Sequence, residues 1–466
     1  MEMENETSSI QSSDTDKISL LLVFCAVTIL MVFLVYTENF VFGSEKGNWQ
    51  YRYFKDVAQI PLWQPIIIVG LLYLSVFIGG KLIYKYETLT LFGCFLAVVI
   101  IQILIRNTYP VSMEAVVQSD RANGFYSVAM KYSPSEILSQ YNNLISTFPM
   151  HVRANLPGKI LLFEALKVFT LSPGIMAYLI IAFSTLGSIF IYGICLKLFL
   201  NKTAALYAFV LYAMIPGKLF FYPLLNTVTP VFMLLCIYLF VIYIDSKNSK
   251  LLWLLGLALF MLVVFEPSPL VVGLIFIGIA VKAIGEKKII LRDLIKIVVF
   301  PVSAFLVVYL LFLLFFSFDL IQAFRFILDD AASFNLNSQR GYRVWFGENL
   351  KEFFYSAGTP IVLIFIYTTS RLVLNWKSLF KQNIFDWVSE HFYSFSLLLT
   401  FSFVVFLGIN RGEISRLWIY LAVLFQIPAA LFITKIPKSQ LAFFIVSSTV
   451  IIQTIVALQR VGFVRP

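Results

Sequence analysis

Stretch after stretch of this chain runs for about the length of a bilayer crossing with almost no charge in it, and that pattern restricts the fold more than any other feature. A helix rising ~1.5 Å per residue needs about 20 mostly apolar residues to span the hydrocarbon core. Such runs fall near 18–36, 62–79, 88–106, 172–197, 203–218, 227–244, 251–265, 268–283, 295–317, 357–374, 392–408, 417–434 and 439–457. Backbone immersed in lipid must satisfy its own hydrogen bonds, so the expectation is an all-α polytopic membrane protein of about 13 transmembrane helices. Composition agrees. Hydrophobic residues make up 60% and charged residues 13% of the chain, against about 45–50% and roughly 25% in soluble proteins. Too little polar surface remains to cover a soluble domain.

The net charge of +10 is scattered over loops between apolar runs, which argues against a nucleic-acid partner and points to membrane lipids. Cys25, Cys94, Cys195 and Cys236 lie inside apolar runs without paired spacing, and only His151 and His391 could supply imidazole. A multi-His metal centre is therefore excluded. Residues 1–17 are polar and acidic and read as a disordered cytoplasmic tail, without the basic start of a cleavable signal. Lys81, Lys85, Lys197, Lys202, Lys247, Lys250, Lys282, Lys287, Lys288, Lys377, Lys381, Lys435 and Lys438 fall on one set of short loops. The positive-inside bias makes that set cytoplasmic. The expected order is an N-terminal transmembrane module 18–317 containing outer loop 107–171, an outer loop 318–356, and a C-terminal transmembrane module 357–466.

The unusual polar residues crowd the outer loops. In 107–171, Ser133 or Ser135 can cap a helix over 135–144, with Pro134 near its first turn. Residues 159–169 have the pattern of an amphipathic helix lying along the interface. Asp120, beside Arg121 and ahead of Phe125 and Tyr126, could take a proton from an attacking hydroxyl, or could simply pair with Arg121 or cap a helix. His151, Arg153, Asn155 and Lys159 lie within nine residues. They suit a phosphate through charge-assisted hydrogen bonds, or anchor the chain at headgroup depth. In 318–356, Arg340, Tyr342, Arg343 and Trp345 form a basic-aromatic surface for a sugar or a lipid phosphate. Asp329-Asp330 could hold a divalent ion or cap a helix. Glu413 and Arg416, three apart, share a face where the chain enters a span. Glu266, in Phe-Glu-Pro-Ser-Pro, is a weaker candidate of the same kind.

These residues bear a resemblance. Ser119-Asp120-Arg121-Ala122-Asn123-Gly124-Phe125-Tyr126 resembles the Asp-containing outer-loop motif of the GT-C glycosyltransferases, integral membrane enzymes that use polyprenyl-phosphate-linked sugars. They include protein mannosyltransferases and the lipid A aminoarabinose transferase. Arg153-Ala154-Asn155-Leu156-Pro157-Gly158-Lys159 is similar to their Arg-x-His-Pro-Pro-Gly stretch, with Asn155-Leu156 where the pattern has His-Pro. Gly341 to Leu350 resembles a later outer loop, and Arg411 to Trp418 a Gly-Glu-x-x-Arg-x-Trp motif. The resemblance implies a GT-C-like fold whose outer-face loops carry short interfacial helices. It also implies inverting sugar transfer at the outer face of a cell membrane, from a lipid-linked donor to a glycan, lipid or protein acceptor. Asp120 would be the general base. Arg121, His151, Arg153, Asn155, Lys159, Arg340, Arg343, Glu413 and Arg416 would hold the donor phosphate and sugar. No Asp-x-Asp or Glu-x-Asp lies beside Asp120, so no cofactor is expected and a divalent metal has no motif to support it. Many members place the acid after the first span, which makes loop 37–61, with Glu38, Glu45, Trp49, Arg52 and Asp56, a rival location.

Two other readings compete with the transferase. A transporter or flippase of lipid-linked or anionic glycans should carry ionisable groups at mid-membrane in broken helices, and the spans here are nearly free of charge. A polysaccharide polymerase or ligase would use outer-loop Arg and His without a required carboxylate.

Overall fold

The computed structural model of the protein describes residues 2–57, 59–374 and 384–465, with side chains from residue 16 onward except 384–390. Lys377 and Lys381 of the basic loop set lie outside the described residues. Among the described residues the chain is helical throughout, with no strand beyond an isolated antiparallel bridge between Tyr53 and Val461. The first helix, Glu2–Tyr36, begins inside the polar segment expected to be a disordered tail.

Every apolar run identified in the sequence is helical, but the runs differ in length. Among the described residues nine helices are long and apolar enough to cross a membrane. They are Asp16–Tyr36, Trp63–Leu82, Glu87–Arg106, Pro173–Phe199, Lys202–Phe221, Leu225–Ser246, Ser268–Gly285, Leu291–Phe316 and Ser439–Arg460. Tyr342–Ser356 and Thr359–Leu374 meet at 109° and make a tenth if they form one broken span. Lys250–Phe265, His391–Leu407 and Ile419–Ile433 are shorter. The difference from about 13 lies in the length of these three helices and in the bent pair. Ile419–Ile433 is buried by protein almost throughout, and a run buried by protein reads in sequence like one buried by lipid. Lys202–Phe221 is the bundle's central helix, wholly buried, whereas Leu291–Phe316 keeps only 11% of its apolar window inside and presents the rest outward.

The connections gather at two ends. At one, the short basic loops join: Lys202 pairs with Glu87 at 2.6 Å, Lys197 with Asp245 at 3.1 Å, and Lys288 with Glu286 at 2.8 Å. At the other, the long loops fold into short helices. Pro134–Leu144 starts as its sequence dictates, with Ser133 as the cap, Glu136 completing a reciprocal capping box and Pro134 in the first turn.

The segment after it departs from the expected interfacial helix. Gly158–Lys167 is helical, but Lys159, Ile160, Phe163, Glu164 and Leu166 are buried. It is wedged into the protein, with Lys167 Nζ donating to the Ala129 carbonyl at 2.6 Å. A Cβ at Gly158 would come within 2.7 Å of the backbone at Val264 and Phe265. Only glycine permits this approach, and it brings Lys159 beside Glu266.

Candidate functional site

Three segments far apart in sequence lock together at the long-loop end. Trp49, buried in the first long loop, donates its indole N–H to Glu352 Oε1 at 2.8 Å. Glu352 is fully buried on the helix Tyr342–Ser356, and its Oε2 accepts from the backbone N–H of Ser415 at 3.1 Å and from Ser415 Oγ at 3.3 Å. Almost one turn earlier, Asn349 donates to the Asn410 carbonyl and accepts from the Gly412 N–H, both at 3.0 Å. Trp418 donates to Asn410 Oδ1 at 3.2 Å. Arg340, also buried, donates to the carbonyls of Gly47 at 3.0 Å and Arg411 at 2.9 Å and pairs with Glu413 at 3.2 Å. Its guanidinium lies 4.8 Å from the ring centres of both Trp49 and Phe334. Gly412 has a φ of +94°, and a Cβ there would reach within 2.7 Å of the Trp49 ring. The glycine of the Gly-Glu-x-x-Arg run is therefore the seat of Trp49.

Residues 461–465 close the assembly from the last helix. The Phe54 N–H donates to the Arg460 carbonyl and the Gly462 N–H to the Arg52 carbonyl, each at 2.8 Å. Tyr109 OH bonds Val464 in both directions, to its carbonyl at 2.9 Å and from its N–H at 2.8 Å. This short pairing carries Arg465 to the side of Arg52.

Two adjoining cavities result. The polar one, of about 550 Å³, is lined by Glu45, Trp49, Arg52, Arg121, His151, Glu413, Arg416 and Arg465, among others. The other, of about 630 Å³, is mainly apolar, with Phe125, Leu270, Val271, Phe324, Ile327, Leu328, Phe334, Phe403 and Ile409 in its wall. Leu270, Leu328, Phe403 and Ile409 of that wall are exposed at its surface. Ala122, Met150, His151, Leu224, Glu413 and Arg416 line both cavities and form the seam between them. Among the described residues, no group of three or more His, Cys, Asp or Glu converges as metal ligands.

Charge is unevenly placed at the seam. Arg416 pairs with Glu413 at 2.6 Å. Burial pushes the Glu413 carboxyl up, but the Arg416 and Arg340 guanidiniums outweigh it and hold Glu413 below the usual carboxylate range. Burial, then the Arg416 charge, lowers the His151 imidazole to about 4, so this ring is neutral at neutral pH.

The residues singled out in the sequence divide into three groups. Arg121, His151, Glu413 and Arg416 line the polar cavity. Asn155 and Arg340 line only the apolar one, and both are engaged: Asn155 Oδ1 accepts from Lys159 Nζ at 2.8 Å, and Arg340 staples the loops. Asp120, Arg153, Lys159 and Arg343 line neither cavity. Asp120 sits on an exposed turn, where its carboxylate accepts from Ser127 Oγ and, among the described residues, neither pairs with Arg121 nor caps a helix. Arg153 pairs with Asp330 at 3.0 Å, which also gives that acid a role other than metal binding. Arg343 is exposed on the outside of its helix. Lys159 is the clearest correction. Its ammonium lies 2.9 Å from Glu266 Oε2, with side-chain exposures of 1% and 7%, so it neutralises a buried acid instead of facing a ligand.

Arg465 is a lining residue that sequence reasoning missed, and Glu45 and Arg52 were noted only as part of a rival loop. Nothing in the local pattern around Arg465 marks it, because its place depends on the pairing of 460–462 with 52–54. Trp49 carried the better signal: a tryptophan between glycine and an aromatic run, in a loop outside the spans. No protein-family model matches the chain, and no curated protein matches it.

Proposed function

We propose that the chain is a GT-C-like glycosyltransferase that moves a sugar from a polyprenyl-phosphate donor to a hydroxyl of a glycan, lipid or protein acceptor. The single observation that carries this reading is the joined pair of cavities. A cationic chamber suits a phosphate and the sugar it bears, and an apolar chamber with exposed walls suits a prenyl tail, with the bond between prenyl chain and phosphate at the seam. In this reading the cavities face outward from the cell membrane, the N-terminus is cytoplasmic, and the count of 13 crossings includes the shorter apolar helices.

The acceptor hydroxyl loses its proton to a carboxylate and attacks the anomeric carbon. The bond from that carbon to the phosphate oxygen breaks, its electron pair leaves with the phosphate, and the sugar inverts. Glu45 is the cavity carboxylate without an ion-pair partner among the described residues, and it takes the role the sequence suggested for Asp120. Arg416 and its neighbours stabilise the charge that builds on the leaving phosphate.

A second reading, an outer-face polymerase or ligase, is favoured by one feature. His151 lines both cavities while Asp120 lines neither. The test is release of free carrier by purified protein in nanodiscs, using a panel of polyprenyl-phosphate sugars. Glu45→Gln is expected to lower release by about 100-fold or more, the typical weight of a general base, and Asp120→Asn to retain most activity. Release that survives Glu45→Gln but is lost in His151→Gln supports the ligase. Donor binding without release in the wild type supports a transporter.

A further inference from the structure

The polar cavity holds more positive charge than one phosphate needs. Four guanidiniums line it, from Arg52, Arg121, Arg416 and Arg465, against the two carboxylates of Glu45 and Glu413. Arg416 is matched by Glu413 at 2.6 Å. Among the described residues no carboxylate lies within ion-pair distance of Arg52, Arg121 or Arg465. The cavity therefore keeps an excess of two positive charges, with His151 neutral. Like charges gathered in one chamber repel, and the fold holds them there by the pairing of 52–54 with 460–462.

A sugar joined to a lipid through one phosphate carries one negative charge and two free oxygens. Joined through two phosphates, it carries two charges and four free oxygens. Each guanidinium can take two oxygens at once. Resting on the transferase reading above, we infer that the donor is a prenyl diphosphate sugar, and that Arg52, Arg121 and Arg465 hold the phosphate attached to the sugar, deeper in the polar chamber. The charge excess then matches the ligand. Arg416, at the seam, faces the phosphate attached to the prenyl chain. Attack breaks the bond between the anomeric carbon and its phosphate oxygen, and prenyl diphosphate leaves with the electron pair, so no further reactant is needed.

The test compares farnesyl phosphoglucose with farnesyl diphosphoglucose binding to the full chain in nanodiscs. Wild-type protein is expected to bind the diphosphate ester about tenfold more tightly or better. Arg465→Ala and Arg52→Ala should each lower the affinity for the diphosphate ester far more than that for the monophosphate ester, and so remove most of that preference. Arg121→Ala, at an exposed position without a side-chain hydrogen bond among the described contacts, reports the same loss with little risk to folding. Equal affinity for the two esters, or preference for the monophosphate, overturns the diphosphate assignment and leaves the transferase reading standing. Binding of neither ester above empty nanodiscs overturns both.

Discussion

Replacing Lys159 with Met tests how the site's scaffold is built. The ammonium lies 2.9 Å from Glu266 and 5.8 Å from the ring centres of Phe125 and Phe265, with 1% of its side chain exposed. Burial draws its pKa below the ordinary lysine value, and the Glu266 carboxylate opposes that shift. Removing one partner of such a pair leaves a charge in an apolar surround and costs ~3–5 kcal/mol. Glu266 would keep a donor in Thr229 Oγ1 at 2.6 Å and one in Asn226 at 3.2 Å. The lower end, about 3 kcal/mol, is therefore expected. Glu266→Gln added to Lys159→Met removes the stranded charge, and the double variant should recover about 2 kcal/mol or more of the loss. The assay is reversible unfolding in mixed micelles for the wild type, both single variants and the double variant, completing a thermodynamic cycle. A Lys159→Met protein as stable as wild type but weaker in donor binding would refute the reasoning. Lys159 would then face the ligand, as the sequence pattern suggested.

His151 sets a pH dependence. Its folded pKa of about 4 lies below the ordinary histidine value of 6.5, so between these limits the unfolded chain binds a proton that the folded chain does not. Stability should therefore fall as pH drops from 6.5 towards 4, and His151→Gln should flatten that part of an unfolding-versus-pH curve; parallel curves would refute it. Trp49→Phe strips the indole donor from buried Glu352 and is expected to cost about 1–3 kcal/mol of unfolding free energy, the desolvation penalty of an orphaned acceptor. Gly412→Ala places a methyl against the Trp49 ring at positive φ; it should cost a similar ~1–3 kcal/mol and shift the Trp49 fluorescence maximum towards that of an exposed indole.

The sequence made the elements legible better than their partnerships. Period and capping residues are local, so the helix from Pro134 and its Ser133–Glu136 box could be read directly. The run 410–418 and the run 341–350 also stood out, because charged and aromatic residues beside a span are costly unless they have a role. What they touch was not legible. Lys159 and Glu266 sit on segments distant in sequence, and a lysine near His and Arg looks the same whether it meets a phosphate or a buried acid. Asp120 illustrates the converse. Its neighbour Arg121 lines the cavity, yet the turn aims the carboxylate back at Ser127. The span count is open for the same reason, since hydropathy does not distinguish protein from lipid as the medium that covers an apolar helix.

The pairing of residues 460–462 with 52–54 also bears on how the protein is made. Arg52 is synthesised near the start of the chain and Arg465 hundreds of residues later, so the cationic wall cannot exist while the intervening helices are still being inserted. The loop that carries Trp49 and Arg52 must wait, already exposed on its side of the membrane, until Tyr342–Ser356, the 410–418 turn and finally the last helix arrive to cover it. On the function proposed above, a lipid phosphate would meet the complete cationic wall only when the last helix is in place.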